Sequence, residues 1–217
     1  MFEFSKTNLK AYKDSLIKEN INEVINYSNK TLEVGCPEGL LGNFICDLSL
    51  HSYKKMNYSS IIADFCVLNN GGLRAPISKG PVTQANIFEL MPFENYLVVV
   101  ELNTEKMKLL LKYILERSKD CSSRKSGVPV SGIRISIQEN IIKRCMINNR
   151  ELESKKTYHV LTTDYLASGG DNMLFFEDCK QFPTGILLRN IISEYIKNIG
   201  SNNIKIDAQL DGRIEFN

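Results

Sequence analysis

Two stretches decide how this chain reads: Leu68-Asn69-Asn70-Gly71-Gly72-Leu73-Arg74, and Asp164-Tyr165-Leu166-Ala167-Ser168-Gly169-Gly170-Asp171. The first follows a largely apolar run over 61–68 and the second a similar run over 157–162. Such runs belong to strands covered on both faces. A glycine pair directly after a strand removes Cβ bulk and opens positive φ, so the chain can turn sharply and lie close to a ligand. The flanking side chains then divide the chemistry. Arg74 offers a planar, permanently charged fork suited to phosphate or carboxylate. Asn69 and Asp171 can hydrogen-bond a sugar hydroxyl or a base edge, and Tyr165 presents an aromatic face.

The segment Leu90-Met91-Pro92-Phe93-Glu94-Asn95 adds a second ring. Pro92 ends the short helix before it and fixes Phe93 on a loop. Phe93 and Tyr165 together have the makings of an aromatic clamp around a base, each stack contributing roughly 1–3 kcal/mol. Taken one at a time these features have plainer readings: a core plug for the phenylalanine, an ordinary turn for Gly-Gly, a solvated cation for the arginine. Their combination in one chain points to a ligand pocket lined by Asn69, Gly71, Gly72, Arg74, Phe93, Asn95, Tyr165, Gly169, Gly170 and Asp171.

Periodicity places these motifs on a fold. An exposed charged helix is expected over 10–19 and a strand over 22–27. Leu41, Phe44, Ile45 and Leu48 recur at helical spacing over 41–53. Thr83 reads as the cap of a helix over 84–90, a strand follows over 96–102, and Thr104 reads as the cap of an amphipathic helix over 105–118. Runs over 132–138 and 141–147 meet at Glu139-Asn140 as a hairpin. A last helix is expected over 185–199, stopped by Gly200. Helices and strands alternate irregularly and include a hairpin, which makes the class α+β with a mixed sheet and helices outside.

Composition narrows the function. At 217 residues, with no low-complexity stretch, linker or internal repeat, the chain reads as a single domain over 1–217. Its 27 basic and 25 acidic residues leave a formal charge of +2, too little and too dispersed for a nucleic-acid surface. No apolar run approaches the roughly 18 residues of a membrane span. The sequence has only two histidines, His51 and His159, and neither lies in a metal-ligand spacing, so both read as structural and no metal ligand is expected. There is no Gly-Lys-Ser/Thr phosphate loop and no Gly-x-Ser-x-Gly elbow; Ser168 beside its glycine pair reads as turn chemistry. The six cysteines show no Cys-x-x-Cys spacing, and the residues by themselves read as reduced and mostly buried. Residues 1–6 lack the pattern of a signal peptide.

Five segments, Leu41-Gly42-Asn43-Phe44-Ile45-Cys46-Asp47, 68–74, Gly80-Pro81-Val82-Thr83, Met91-Pro92-Phe93-Glu94-Asn95 and 164–171, stand in the order and spacing of the C-terminal domain of the 5′-nucleotidase family. That family includes UDP-sugar hydrolases and ecto-5′-nucleotidases, and the resemblance runs from about residue 22 to the end of the chain. It implies a layered α-β-β-α sandwich. It also implies a domain that recognises a nucleotide or nucleoside for hydrolysis of nucleoside monophosphates or UDP-sugar type phosphoesters. Catalysis would come from a metallophosphoesterase domain or separate chain absent from this sequence, and the divalent metals would sit there. On that pattern Phe93 and Tyr165 stack on the base, Asn69 and Asp171 bind base or ribose, and Arg74 binds ribose or phosphate. Whether these residues make an enzyme is left open by the sequence, because the chain alone is expected to be inactive. The chain departs from the pattern at Val34-Gly35-Cys36-Pro37-Glu38, where many members carry further arginines, and at Tyr165, where phenylalanine is common. With Arg74 as the only arginine near the motifs, nucleosides are expected to bind about as well as their monophosphates. Cys46 and Cys66 match a disulfide pair of the animal enzymes. Family members are generally exported, which implies a periplasmic or exported protein if a leader has been removed and a cytoplasmic one otherwise. The alternatives are a noncatalytic nucleoside-binding or sensing module, and a small-molecule carrier.

Overall fold

The computed structural model describes residues 21–56 and 61–217; the helix expected over 10–19 lies outside them. At its centre, strand β4 (Tyr96–Leu102), apolar without a break from Leu97 to Val100, shows what such a run is for. Leu97 and Val99 point into one core, while Val98, Val100 and Leu102 point into another, so both faces of the strand are covered. The same division holds for β2 (Phe65–Val67) and β9 (Tyr158–Thr163), which pair in parallel. With β10 (Gln181–Leu187) and β5 (Val130–Ser131) they form a five-stranded sheet in the order β10-β4-β9-β2-β5.

The first core is closed by three helices: α1 (Leu40–Met56), α2 (Gln84–Leu90) and α5 (Leu188–Ser201). The second lies against α3 (Thr104–Lys119) through Met107, Leu110 and Ile114, and against a four-stranded sheet in the order β11-β6-β7-β8. In that sheet β6 (Ile133–Gln138) and β7 (Ile141–Ile147) make the expected hairpin, flanked by β8 (Arg150–Glu151) and, in parallel, β11 (Ile214–Phe216). Glu139 and Asn140 carry φ of 52° and 58°, the left-handed pair that matches the right-handed twist of its strands. A small sheet of β1 (Val24–Ser28) with β3 (Gly80–Thr83) completes an α+β fold with mixed sheets. No helix among the described residues is long and apolar enough to cross a membrane.

Thr83 caps α2 as expected, in a reciprocal capping box with Asn86. Other expectations are corrected. The cap of α3 is Asn103, whose side chain accepts from the Lys106 amide at 3.0 Å, while the Thr104 hydroxyl donates to the Ser154 carbonyl. Residues 181–187, partly read as the start of the last helix, instead pair with β4, because an edge strand tolerates Pro183. The helix begins at Leu188 and includes Gly200, and the left-handed residue beyond it is Asn203.

The cysteines depart from both readings. Cys36 is bonded to Cys121, with Cα atoms 5.4 Å apart, joining loops that only the folded chain brings together. Cys46 and Cys66 are free and buried; burial, then a hydrogen bond with Cys66, raises the Cys46 thiol well above its usual range.

The matched segment over 41–47 does structural work at the C-terminus. Asn43 Nδ2 donates to Glu38 Oε1 (2.5 Å) and to the Gln209 carbonyl (2.8 Å), and Glu38 in turn accepts from the Asp211 and Arg213 amides. Arg213 then forks onto Asp47 at 2.8 and 2.6 Å.

Candidate functional site

At the carboxyl end of β2 the chain turns through Asn70–Gly72. A Cβ on Gly72 would come within 2.9 Å of Asn69 Oδ1, and one on Gly71 within 3.2 Å of Asn69 Nδ2 and 3.4 Å of Asp171 Oδ2. The glycine pair therefore lets the Asn69 amide fold back over its own turn and donate to Asp171. Asn70 points the other way: it is buried and donates to the carbonyls of Gly35 (2.9 Å) and Ser126 (2.5 Å), fixing the turn to neighbouring loops. Arg74 remains exposed, donating to the Gly71 carbonyl at 3.2 Å.

After β9 a single helical turn, α4 (Asp164–Ala167), is capped by Thr163. Asp164 Oδ1 accepts from the amides of Tyr165 (2.8 Å) and Tyr96 (3.1 Å), which ties this turn to the start of β4. Gly170 lies against the Tyr165 ring, where an added Cβ would approach Cε1 and Cζ to 2.6 Å. Asp171 takes left-handed backbone, φ 51° and ψ 30°, which its short polar side chain tolerates. Its amide donates to the Tyr165 hydroxyl (3.2 Å) and its carbonyl accepts from Tyr113 (2.9 Å). Burial pushes Tyr113 up to about 12, against the opposing effect of Arg117, so Tyr113 stays a neutral donor.

The Phe93 turn rests on Arg189. This buried guanidinium donates to the carbonyls of Met91 (3.3 Å) and Pro92 (3.2 Å) and packs over the Phe88 ring at 4.7 Å. The Arg74 amide donates to the Leu90 carbonyl at 2.8 Å, so the loop over 69–74 and the Phe93 loop are fastened to each other.

These three loops enclose a cleft of about 260 Å³, just below the usual range for small-molecule sites. Its lining includes Asn69, Gly71, Gly72 and Arg74 from the first loop, with Phe93, Asn95, Tyr165 and Asp171 from the other two. Gly169 and Gly170 are not in the lining; they shape the turn that carries Tyr165 and Asp171. Phe93 is 44% and Tyr165 48% exposed, and neither ring stacks on another aromatic side chain among the described residues. Two exposed rings on loops held from below suit stacking on a flat ligand better than filling a core.

Sequence reasoning missed Lys125, which also lines the cleft. It sits in a polar loop that belongs to none of the motifs, so no local signal marks it. Arg189 did leave a signal: a lone charge among Leu188, Ile191 and Ile192 on a buried helix face.

The arrangement offers stacking, hydrogen bonding and positive charge. It does not fit the two-metal centre that the family resemblance implies for catalysis. Among the described residues no group of three or more His, Cys, Asp or Glu side chains could hold a metal ion. His51 lies edge-on to Tyr195, with ring centres 6.0 Å apart, and His159 lies beside Phe182 and Glu101.

The family model that matches, over residues 20–178, is described as "5′-nucleotidase, C-terminal domain". The trifunctional nucleotide phosphoesterase of Bacillus subtilis is 27% identical across 97% of the chain, and the snake venom 5′-nucleotidase of Gloydius brevicauda 26% identical across 91%. The chain spans only 15% and 36% of those two relatives. A solved 5′-nucleotidase precursor from Thermus thermophilus superposes on 98% of the chain with a TM-score of 0.78 and 26% identity, the match covering 43% of that protein.

Proposed function

The chain belongs to the family of 5′-nucleotidase C-terminal domains, and from that premise we propose that it is the nucleotide-recognition part of a phosphoester hydrolase. The carrying observation is the cleft itself, in which Phe93 and Tyr165, both exposed, share one cavity with Asn69, Asp171 and Arg74. A base enters between the two rings. Asn69 and Asp171, already bonded to each other, turn their remaining donor and acceptor capacity to base or ribose. Arg74, anchored by its contact with the Gly71 carbonyl, reaches the ribose.

Catalysis on this reading comes from a metallophosphoesterase domain not present in these 217 residues. Relatives two or more times longer than the chain are consistent with that division of labour. A metal centre in such a domain would supply the activated water; the residues described here bind, orient and enclose the nucleoside. Purified chain is accordingly expected to give no turnover of AMP with Mn²⁺ or Zn²⁺ added. Phosphate release that persists through successive purification steps and is abolished by a chelator would contradict this.

A further inference from the structure

Lys125 reaches the cleft from a loop fastened to the loop that carries Asn69 and Arg74, to α3 and to the loop at Cys36. Arg117 donates to the Lys125 carbonyl (2.5 Å), Asn70 to the Ser126 carbonyl (2.5 Å), and Arg124 to the Leu73 carbonyl (2.5 Å). The Cys36–Cys121 disulfide closes the other end of the same loop. The lysine stem passes over the glycine turn, with Cδ 4.0 Å from where a Cβ on Gly71 would lie. Among the described residues its ammonium has no ion-pair or hydrogen-bond partner. A cation whose backbone is immobilised at the edge of a cleft, with its charge left unpaired, is placed to meet an anion that arrives with the ligand.

We propose that Lys125 is the phosphate contact of the cleft, so that the favoured ligand is a phosphorylated nucleoside rather than a bare one. This rests on the nucleoside reading of the Phe93–Tyr165 cleft and revises the expectation, drawn from Arg74 alone, that the two bind equally. Arg74 and Lys125 divide the work: Arg74 serves the ribose that both ligands share, and Lys125 serves the charge that only one carries.

Calorimetric titration of wild type, Lys125→Gln, Lys125→Arg and Arg74→Ala with adenosine and AMP separates these roles. Wild type is expected to prefer AMP by about tenfold, the size of a charge-assisted hydrogen bond. Lys125→Gln should lose that preference with adenosine affinity within about twofold of wild type, Lys125→Arg should keep it, and Arg74→Ala should weaken both ligands alike. Equal affinities in wild type, a preference that survives in Lys125→Gln, or equal loss of both ligands in Lys125→Gln would each overturn the assignment. If neither nucleoside binds wild type, the nucleoside reading fails, and Lys125 is then judged by inorganic pyrophosphate. Shifts of the Gly71 and Gly72 amide resonances that vanish in Lys125→Gln uphold an anion contact, and their absence in wild type refutes it.

Discussion

Replacing Tyr165 or Phe93 by alanine should weaken nucleoside binding by about 1–3 kcal/mol, a loss of roughly fivefold to two-hundredfold, while leaving the fold almost untouched. The expectation follows from exposure. With Phe93 44% and Tyr165 48% exposed, neither ring contributes much to the cores, and truncating such a side chain typically changes stability by less than about 1 kcal/mol. Tyr165→Phe retains the stacking face and gives up only the bond from the Asp171 amide, so most of the affinity should remain. A steep fall in melting temperature for Phe93→Ala, with unchanged affinity per folded molecule, would instead identify the ring as a core plug.

Arg213→Ala is expected to cause the largest loss of stability. The guanidinium is buried and donates to Asp47 twice, to Asp211 and to the Val130 carbonyl. Breaking a buried pair typically costs about 3–5 kcal/mol; because the Asp47 side chain is 49% exposed and can recover water, about 2–4 kcal/mol is expected here. Arg213→Lys should recover little, since a single ammonium cannot reproduce the fork. An acid titration adds a second readout. Burial alone would raise Asp211, but the hydrogen bond and charge of Arg213 outweigh it and hold the carboxyl below its usual range. The stability this confers is present above the unfolded carboxyl value and is lost as pH falls through the lower folded one, so the variant should lose that part of the acid dependence. Urea midpoints that match wild type from neutral pH to pH 3 would show that the network contributes nothing.

Local signals made much of this molecule legible. The largely apolar runs over 61–68 and 157–162 announced strands covered on both faces, Thr83 marked a helix start, and Glu139-Asn140 marked a two-residue turn. The cleft was legible for a related reason: glycine pairs after strands and a proline before an aromatic ring impose their geometry within a few residues. What escaped was settled by distant contacts. The Cys36–Cys121 bond spans a separation of 85 residues, and Lys125 enters the cleft only because that bond and the Asn70 and Arg124 contacts draw its loop inward. The strand over 181–187 escaped because Pro183 and Gly185 disfavour a strand locally, whereas the exposed edge of β4 supplies the pairing. Asn103 displaced Thr104 as a cap because its amide oxygen reaches the Lys106 amide while the threonine hydroxyl finds the Ser154 carbonyl.

Calorimetric titration of the wild-type chain with adenosine, AMP and UMP decides whether the cleft between Phe93 and Tyr165 holds a nucleoside. At least one of them is expected to bind saturably with a single-site isotherm, abolished or strongly weakened when both rings are replaced by alanine. No saturable heat from any of the three at ligand concentrations up to about 1 mM, where even a free energy of only about −4 kcal/mol gives half-occupancy, would contradict it in a chain shown to be folded.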